Sequence, residues 1–181
     1  MLAPDIRARL AAEVERLRAV AGDVAWVARD SVHLTLKFLG AVEPARLDAV
    51  TAALAAVAAG AGPFDIGLRG LGGFPSPTRP RVLWAGLGEG VAAAAALARG
   101  VDGALAPLGF PREARVFSAH VTLGRVRTPR PNRPLAEALA SGGDLGRQRV
   151  DRLVLMRSEL SPRGARYTEL VAVPLGPGAP G

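Results

Sequence analysis

The 181-residue chain has two histidines, and both sit in the same setting: His33-Leu34-Thr35-Leu36 and His120-Val121-Thr122-Leu123. With six threonines in the whole chain, a threonine two places after each histidine and a leucine three places after each is poorly explained by composition. Side chains alternate faces along a strand. His33 and Thr35 therefore point one way and Leu34 and Leu36 the other, and His120 and Thr122 are likewise set against Val121 and Leu123. If the two strands lie side by side, two imidazoles and two hydroxyls converge on one small volume while the apolar residues face a core. An imidazole, with an ordinary pKa of about 6.5, gives or takes a proton near neutral pH. Hydrolysis of a phosphodiester needs one group to take a proton from water and another to give one to the departing oxygen. The threonine hydroxyls can donate to non-bridging phosphate oxygens. One histidine must start neutral and the other charged, which implies a bell-shaped rate profile. Two histidines without a placed third ligand do not make a catalytic zinc centre, so no metal and no cofactor is expected.

The elements around these tetrapeptides must present them as strands. Ile6, Leu10, Val14, Leu17 and Ala21 recur at helical spacing from Asp5 to Ala21, and Gly22 follows as a stop. Short β-type runs cover Val24 to Arg29 and Val32 to Leu39. Glu43-Pro44 opens a second helix through Leu47, Val50, Leu54 and Val57. Strands are expected at Phe64–Phe74 and Arg81–Leu87, a helix over Gly90–Leu108, and a strand over Arg115–Val126. A short helix near Leu135–Ala140 and strands at Arg149–Glu159 and Arg166–Leu175 complete the chain. Strands that follow one another directly make the sheets largely antiparallel and the class α+β. The repeated tetrapeptide, with one long helix near each copy, predicts two lobes related by a pseudo-twofold around a central cleft, with helices outside. A single domain over 1–175 and a flexible tail over 176–181 are expected, with fraying from Pro174.

Apolar residues make up 49% of the chain, enough to bury a core, and there is no cysteine, which removes disulfides, thiolate metal sites and cysteine nucleophiles. The apolar run Val91 to Ala98 is far short of the roughly 20 residues of a membrane span, and no secretory signal is apparent. The expectation is a cytoplasmic monomer. Net charge is +7, and Lys37 is the single lysine among 23 basic residues, so the positive charge is almost all forked guanidinium suited to phosphate. Trp26, Trp84, Tyr167 and Phe38 are expected in the core rather than stacked on bases. Gly70 to Gly73 lacks the lysine and the strand-to-helix context of a phosphate-binding loop.

These residues resemble the two-histidine phosphoesterases, and within them the RNA 2′,3′-cyclic phosphodiesterases, also called 2′-5′ RNA ligases. The likeness rests on His33-Leu34-Thr35-Leu36-Lys37-Phe38-Leu39-Gly40, Arg79-Pro80-Arg81-Val82-Leu83-Trp84 and Phe117-Ser118-Ala119-His120-Val121-Thr122-Leu123-Gly124-Arg125. Ser158-Glu159-Leu160-Ser161-Pro162 and Tyr167-Thr168-Glu169-Leu170 are similar to the family's closing hairpin. The resemblance implies that His33 is the proton donor and His120 the proton acceptor, with Thr35 and Thr122 holding the phosphate and a 2′-phosphomonoester as product. Arg125 matches an arginine that follows the second motif and would bind substrate. Strict alternation puts it on the face away from His120, so a bulge would have to turn it inward. The implied partner is RNA ending in a 2′,3′-cyclic phosphate, with reversible 2′-5′ ligation as a side reaction. Two departures stand out: Met1-Leu2-Ala3-Pro4-Asp5 replaces the family's opening strand, expected to leave a gap in a sheet, and Ala119 replaces a usual proline. The residues also allow a non-catalytic RNA-end binding module, or a phosphodiesterase of a small cyclic nucleotide such as ADP-ribose 1″,2″-cyclic phosphate.

Overall fold

Pro4 opens the first helix, where its missing N–H is not needed, and Leu2 just before it is buried. The computed structural model describes residues 1–161 and 164–177, in the order α1 (Pro4–Arg18), β1 (Val24–Trp26), α2 (Leu47–Ala59), β2 (Phe64–Phe74), β3 (Val82–Glu89), α3 (Val91–Leu105), β4 (His120–Val126), α4 (Arg133–Ala140), β5 (Asp144–Val150), β6 (Arg152–Ser161) and β7 (Gly164–Pro174). The class is α+β, and every strand pairing is antiparallel. One sheet has five strands in the order β1-β4-β3-β2-β5, and β6 and β7 form a separate two-stranded ribbon.

The two lobes have separate cores. Ile6, Leu10 and Val14 of α1 bury against Leu68, Ala85, Val121, Leu123 and Leu145 of the large sheet, and α4 closes the same side with Leu135 and Leu139 over Leu83. In the second lobe, Val50 and Leu54 of α2 and Leu97, Val101 and Leu105 of α3 pack on Leu153 and Leu155 of the ribbon. Phe64 and Val150 touch both cores and join the lobes. The sheets of the two lobes have five and two strands.

Several expectations are corrected. Val32–Leu39 is not a regular strand: Arg29–Ser31 makes a 3₁₀ turn, Leu36 sits at a bend, and the segment joins β4 through an isolated bridge, Leu34 to Val121. Arg115–Ala119 is irregular, so β4 starts at His120, and β5 begins at Asp144, five residues before the expected strand. Charged and glycine positions in Asp144–Arg149 conceal the strand's alternation. The chain is held beyond Pro174, because Leu175 is buried and the Gly176 N–H donates to Ala58 O at 2.8 Å. Residues 178–181 of the expected tail, and Pro162 of the closing motif, lie outside the described residues. Phe38 is 68% exposed rather than in the core. Val91–Leu108, 18 residues counting the 3₁₀ turn after α3, is long and apolar enough by length and composition to cross a membrane, and Ala94, Leu97, Ala98, Val101 and Leu105 along it are buried in the protein.

Candidate active site

β4 carries one histidine and receives the other. Its one edge pairs with β3, setting Trp84 opposite Thr122 and Gly86 opposite His120. Along its other edge lie β1, opposite residues 124 to 126, and then Leu34, opposite Val121. Val121 is fully buried, so the Leu34–Val121 pair faces the core and the neighbouring residues face outward. Carried one residue each way, this register puts His33 opposite Thr122 and Thr35 opposite His120. The imidazoles then become diagonal neighbours whose backbones are about 7–8 Å apart. A twofold axis through the Leu34–Val121 bridge maps His33 onto His120 and Thr35 onto Thr122. The repeat seen in the sequence is thus a symmetry of the site.

The two rings are held alike. His33 Nδ1 lies 2.7 Å from Ser31 O, and His120 Nδ1 lies 2.7 Å from Ser118 O, each bond reaching back two residues. A carbonyl oxygen only accepts, so each Nδ1 carries the hydrogen and each Nε2 is left to take or give a proton. Each ring also meets an aromatic edge to face: His33 meets Tyr167 of β7 at 4.6 Å, and His120 meets Phe74 of β2 at 5.1 Å. Backbone bond and aromatic wall together fix the ring plane. Burial lowers the His33 pKa below the ordinary imidazole value; the bond to Ser31 opposes this, and the positive N-terminus adds a smaller lowering.

The floor beside His120 is aromatic. Trp84 lies over Gly72, where a Cβ would come within 2.2 Å of the indole ring, and Phe74 sits 5.2 Å from the same ring. The Trp84 Nε1 is buried without a hydrogen-bond partner among the described residues. The bulge needed for Arg125 is present. The β3–β4 register shifts between Leu83, opposite Gly124, and Trp84, opposite Thr122, leaving Leu123 as the extra residue. After the shift Arg125 pairs with Val82, which shares a face with Trp84, and so its exposed side chain joins the face of His120 and Thr122.

The Leu34–Val121 register sets His33 and Thr35 toward the face of His120 and Thr122, and the β4 bulge adds Arg125 along it. Of the aromatics expected in the core, Trp26 packs there, whereas Trp84 and Tyr167 line the site. Ser31 and Ser118 extend the repeat backwards to Ser-x-His-x-Thr-Leu, a signal already present in the sequence. Phe74 and Tyr167 left no such signal, because each reaches its histidine from a distant strand. Among the described residues no group of three or more His, Asp or Glu is placed to hold a metal ion.

The family model of the 2′-5′ RNA ligase superfamily matches residues 6–162. A protein of Methanothermobacter thermautotrophicus named RNA 2′,3′-cyclic phosphodiesterase is 35% identical over 158 residues, covering 86% of this chain and 85% of its own. An Archaeoglobus fulgidus protein of the same name is 34% identical over 165 residues, covering 91% of each. Among solved structures, TT0787 of Thermus thermophilus superposes with a TM-score of 0.81 at 31% identity over 98% of this chain and 94% of that one. Escherichia coli LigT complexed with 3′-AMP superposes with a TM-score of 0.75 at 25% identity over 97% and 94%.

Proposed function

This chain belongs to the 2′-5′ RNA ligase superfamily, and from that premise we propose that it is an RNA 2′,3′-cyclic phosphodiesterase with His33 and His120 as its acid–base pair. The observation that carries the residue assignment is the matched pinning of both Nδ1 atoms, which leaves two Nε2 atoms for chemistry on one face. His120 Nε2 takes a proton from water as the water oxygen bonds to phosphorus. The P–O3′ bond breaks, His33 Nε2 gives its proton to O3′, and the phosphate remains on O2′. Thr35 and Thr122 donate to the non-bridging oxygens, and Arg125 balances their charge. A 5′-hydroxyl in place of water makes a 2′-5′ bond by the same steps. Both histidines come from one chain, which supports action as a monomer.

The test is turnover of an RNA oligonucleotide ending in a 2′,3′-cyclic phosphate, in excess EDTA, with the position of the product phosphate identified. A 2′-phosphate formed at an undiminished rate supports the reading. Binding without product would make the site an RNA-end binding module instead.

The pH dependence follows from His33. Burial disfavours the charged imidazolium, and a proton donor acts only in that form. The free enzyme therefore loses its acid as pH rises through a value below about 6.5, and kcat/KM should fall on that alkaline limb. A bound phosphodiester anion favours the imidazolium, so the corresponding limb of kcat should lie at higher pH. With two histidines in the chain, NMR titration of their ring signals assigns each limb. Should His33 track the rising acidic limb instead, the donor and acceptor roles are exchanged.

A further inference from the structure

We propose that the ion pair between the buried Lys37 and the partly buried Asp102 is the positioning device of the active site, fastening both histidine segments to helix α3 without either residue touching the substrate. The proposal rests on the acid–base reading of His33 and His120.

The first histidine segment needs such an anchor. Most strands are held by a ladder of backbone bonds, but among the described residues the segment 32–39 reaches the sheet through the single Leu34–Val121 bridge. Four residues beyond His33, Lys37 buries its side chain to 2% exposure, and its neighbours Leu36 and Leu39 pack on the second core. Its Nζ lies 2.5 Å from Asp102 Oδ1 and donates to Pro111 O at 2.6 Å. Asp102 stands near the end of α3, a helix fixed in that core by Leu97, Val101 and Leu105.

The same Asp102 Oδ1 accepts the N–H of Glu113 at 3.1 Å. Pro111 and Glu113 belong to the irregular stretch that runs into Ser118 and His120, and residues 111–116 of it are exposed. One carboxylate on a rigid helix thus holds the exit of one histidine segment and the approach to the other. The hydrogen bond from Lys37 holds the Asp102 carboxyl below its ordinary pKa, which keeps that carboxylate charged at neutral pH. The chain otherwise uses arginine throughout, and the exception falls where a compact ammonium is buried against one carboxylate and one carbonyl. An exposed pair would have little effect, but a buried ammonium stripped of its partner is strongly unfavourable.

Lys37→Met keeps the stem and removes the ammonium. We expect kcat for the cyclic-phosphate oligonucleotide to fall about 10- to 100-fold with KM little changed, since a shift of about 1 Å in a catalytic group has effects of that size. The NMR signals of both imidazoles should shift, because both segments lose an anchor. Lys37→Met destabilises the fold as well, so Lys37→Met/Asp102→Leu supplies the second arm. Replacing both charges by apolar groups should restore the melting temperature. It cannot restore the bonds to Pro111 O and the Glu113 N–H, so kcat should stay low. Recovery of kcat together with melting temperature, or unchanged imidazole signals in Lys37→Met, would leave the pair a stabilising contact only and overturn the proposal. Absence of turnover by the wild type would instead count against the acid–base reading, and the NMR comparison would still decide the fastening role.

Discussion

His33→Ala and His120→Ala should each slow single-turnover cleavage of a cyclic-phosphate RNA end by about 10²- to 10⁴-fold, the loss expected when a positioned acid or base is removed. Both rings are only partly buried and bond through Nδ1 to a carbonyl two residues back, so removing either should leave the fold and the melting temperature nearly intact. His33→Ala/His120→Ala should be little slower than the worse single variant, because groups that act as one unit do not contribute additively. Stopped-flow or quench-flow measurement at fixed pH reads all three. A variant within tenfold of wild type would remove that histidine from the chemistry.

Gly72→Ala is the second large effect. The new Cβ would lie 2.2, 2.4 and 2.7 Å from three ring atoms of Trp84, far inside van der Waals contact, so the indole must move. Trp84 packs on Phe74, and Phe74 forms the wall of His120, so the displacement passes to the His120 ring. Overpacking of this kind destabilises by about 1–3 kcal/mol, and a chain of this size loses about 2–4 °C of Tm per kcal/mol. Activity should fall with it. Gly103→Ala is the contrast, since a Cβ there meets nothing within 4 Å and the residue lies inside α3. Alanine at that position should stabilise by about 0.5–1 kcal/mol and leave the rate unchanged. Gly72→Ala/Trp84→Leu removes the ring that is struck, so its Tm should exceed that of Gly72→Ala. Failure to do so would place the strain elsewhere than on Trp84.

The tests differ in what they address. The histidine variants concern the proposed acid and base and Gly72→Ala the wall behind one of them. Lys37→Met concerns the backbone segments that carry both, so only it should disturb the two imidazoles together.

The amino-acid sequence by itself singled out the candidate acid–base pair. His33 and His120 share a setting with Thr35 and Thr122, and a period of two puts each histidine on the face of its threonine and opposite its leucine. It also determined α1, α2 and α3, whose apolar spacing is written in consecutive residues. Such features are local, so they can be read without knowing what lies next to them. The tertiary structure decided what depends on pairing between distant residues. Arg125 joins the face of His120 because Leu123 is an extra residue against β3, a register that no run of β4 residues specifies. Tyr167 and Phe74 reach the imidazoles from strands remote in the sequence, and Phe38, alternating like a core residue, ends in solvent. Lys37 reads as ordinary surface charge until Asp102 and Pro111, 65 and 74 residues away, close around it. Alternation and helical spacing are set by backbone geometry over a few residues. Register, bulges and buried ion pairs are set by which distant surfaces the folded cores bring into contact.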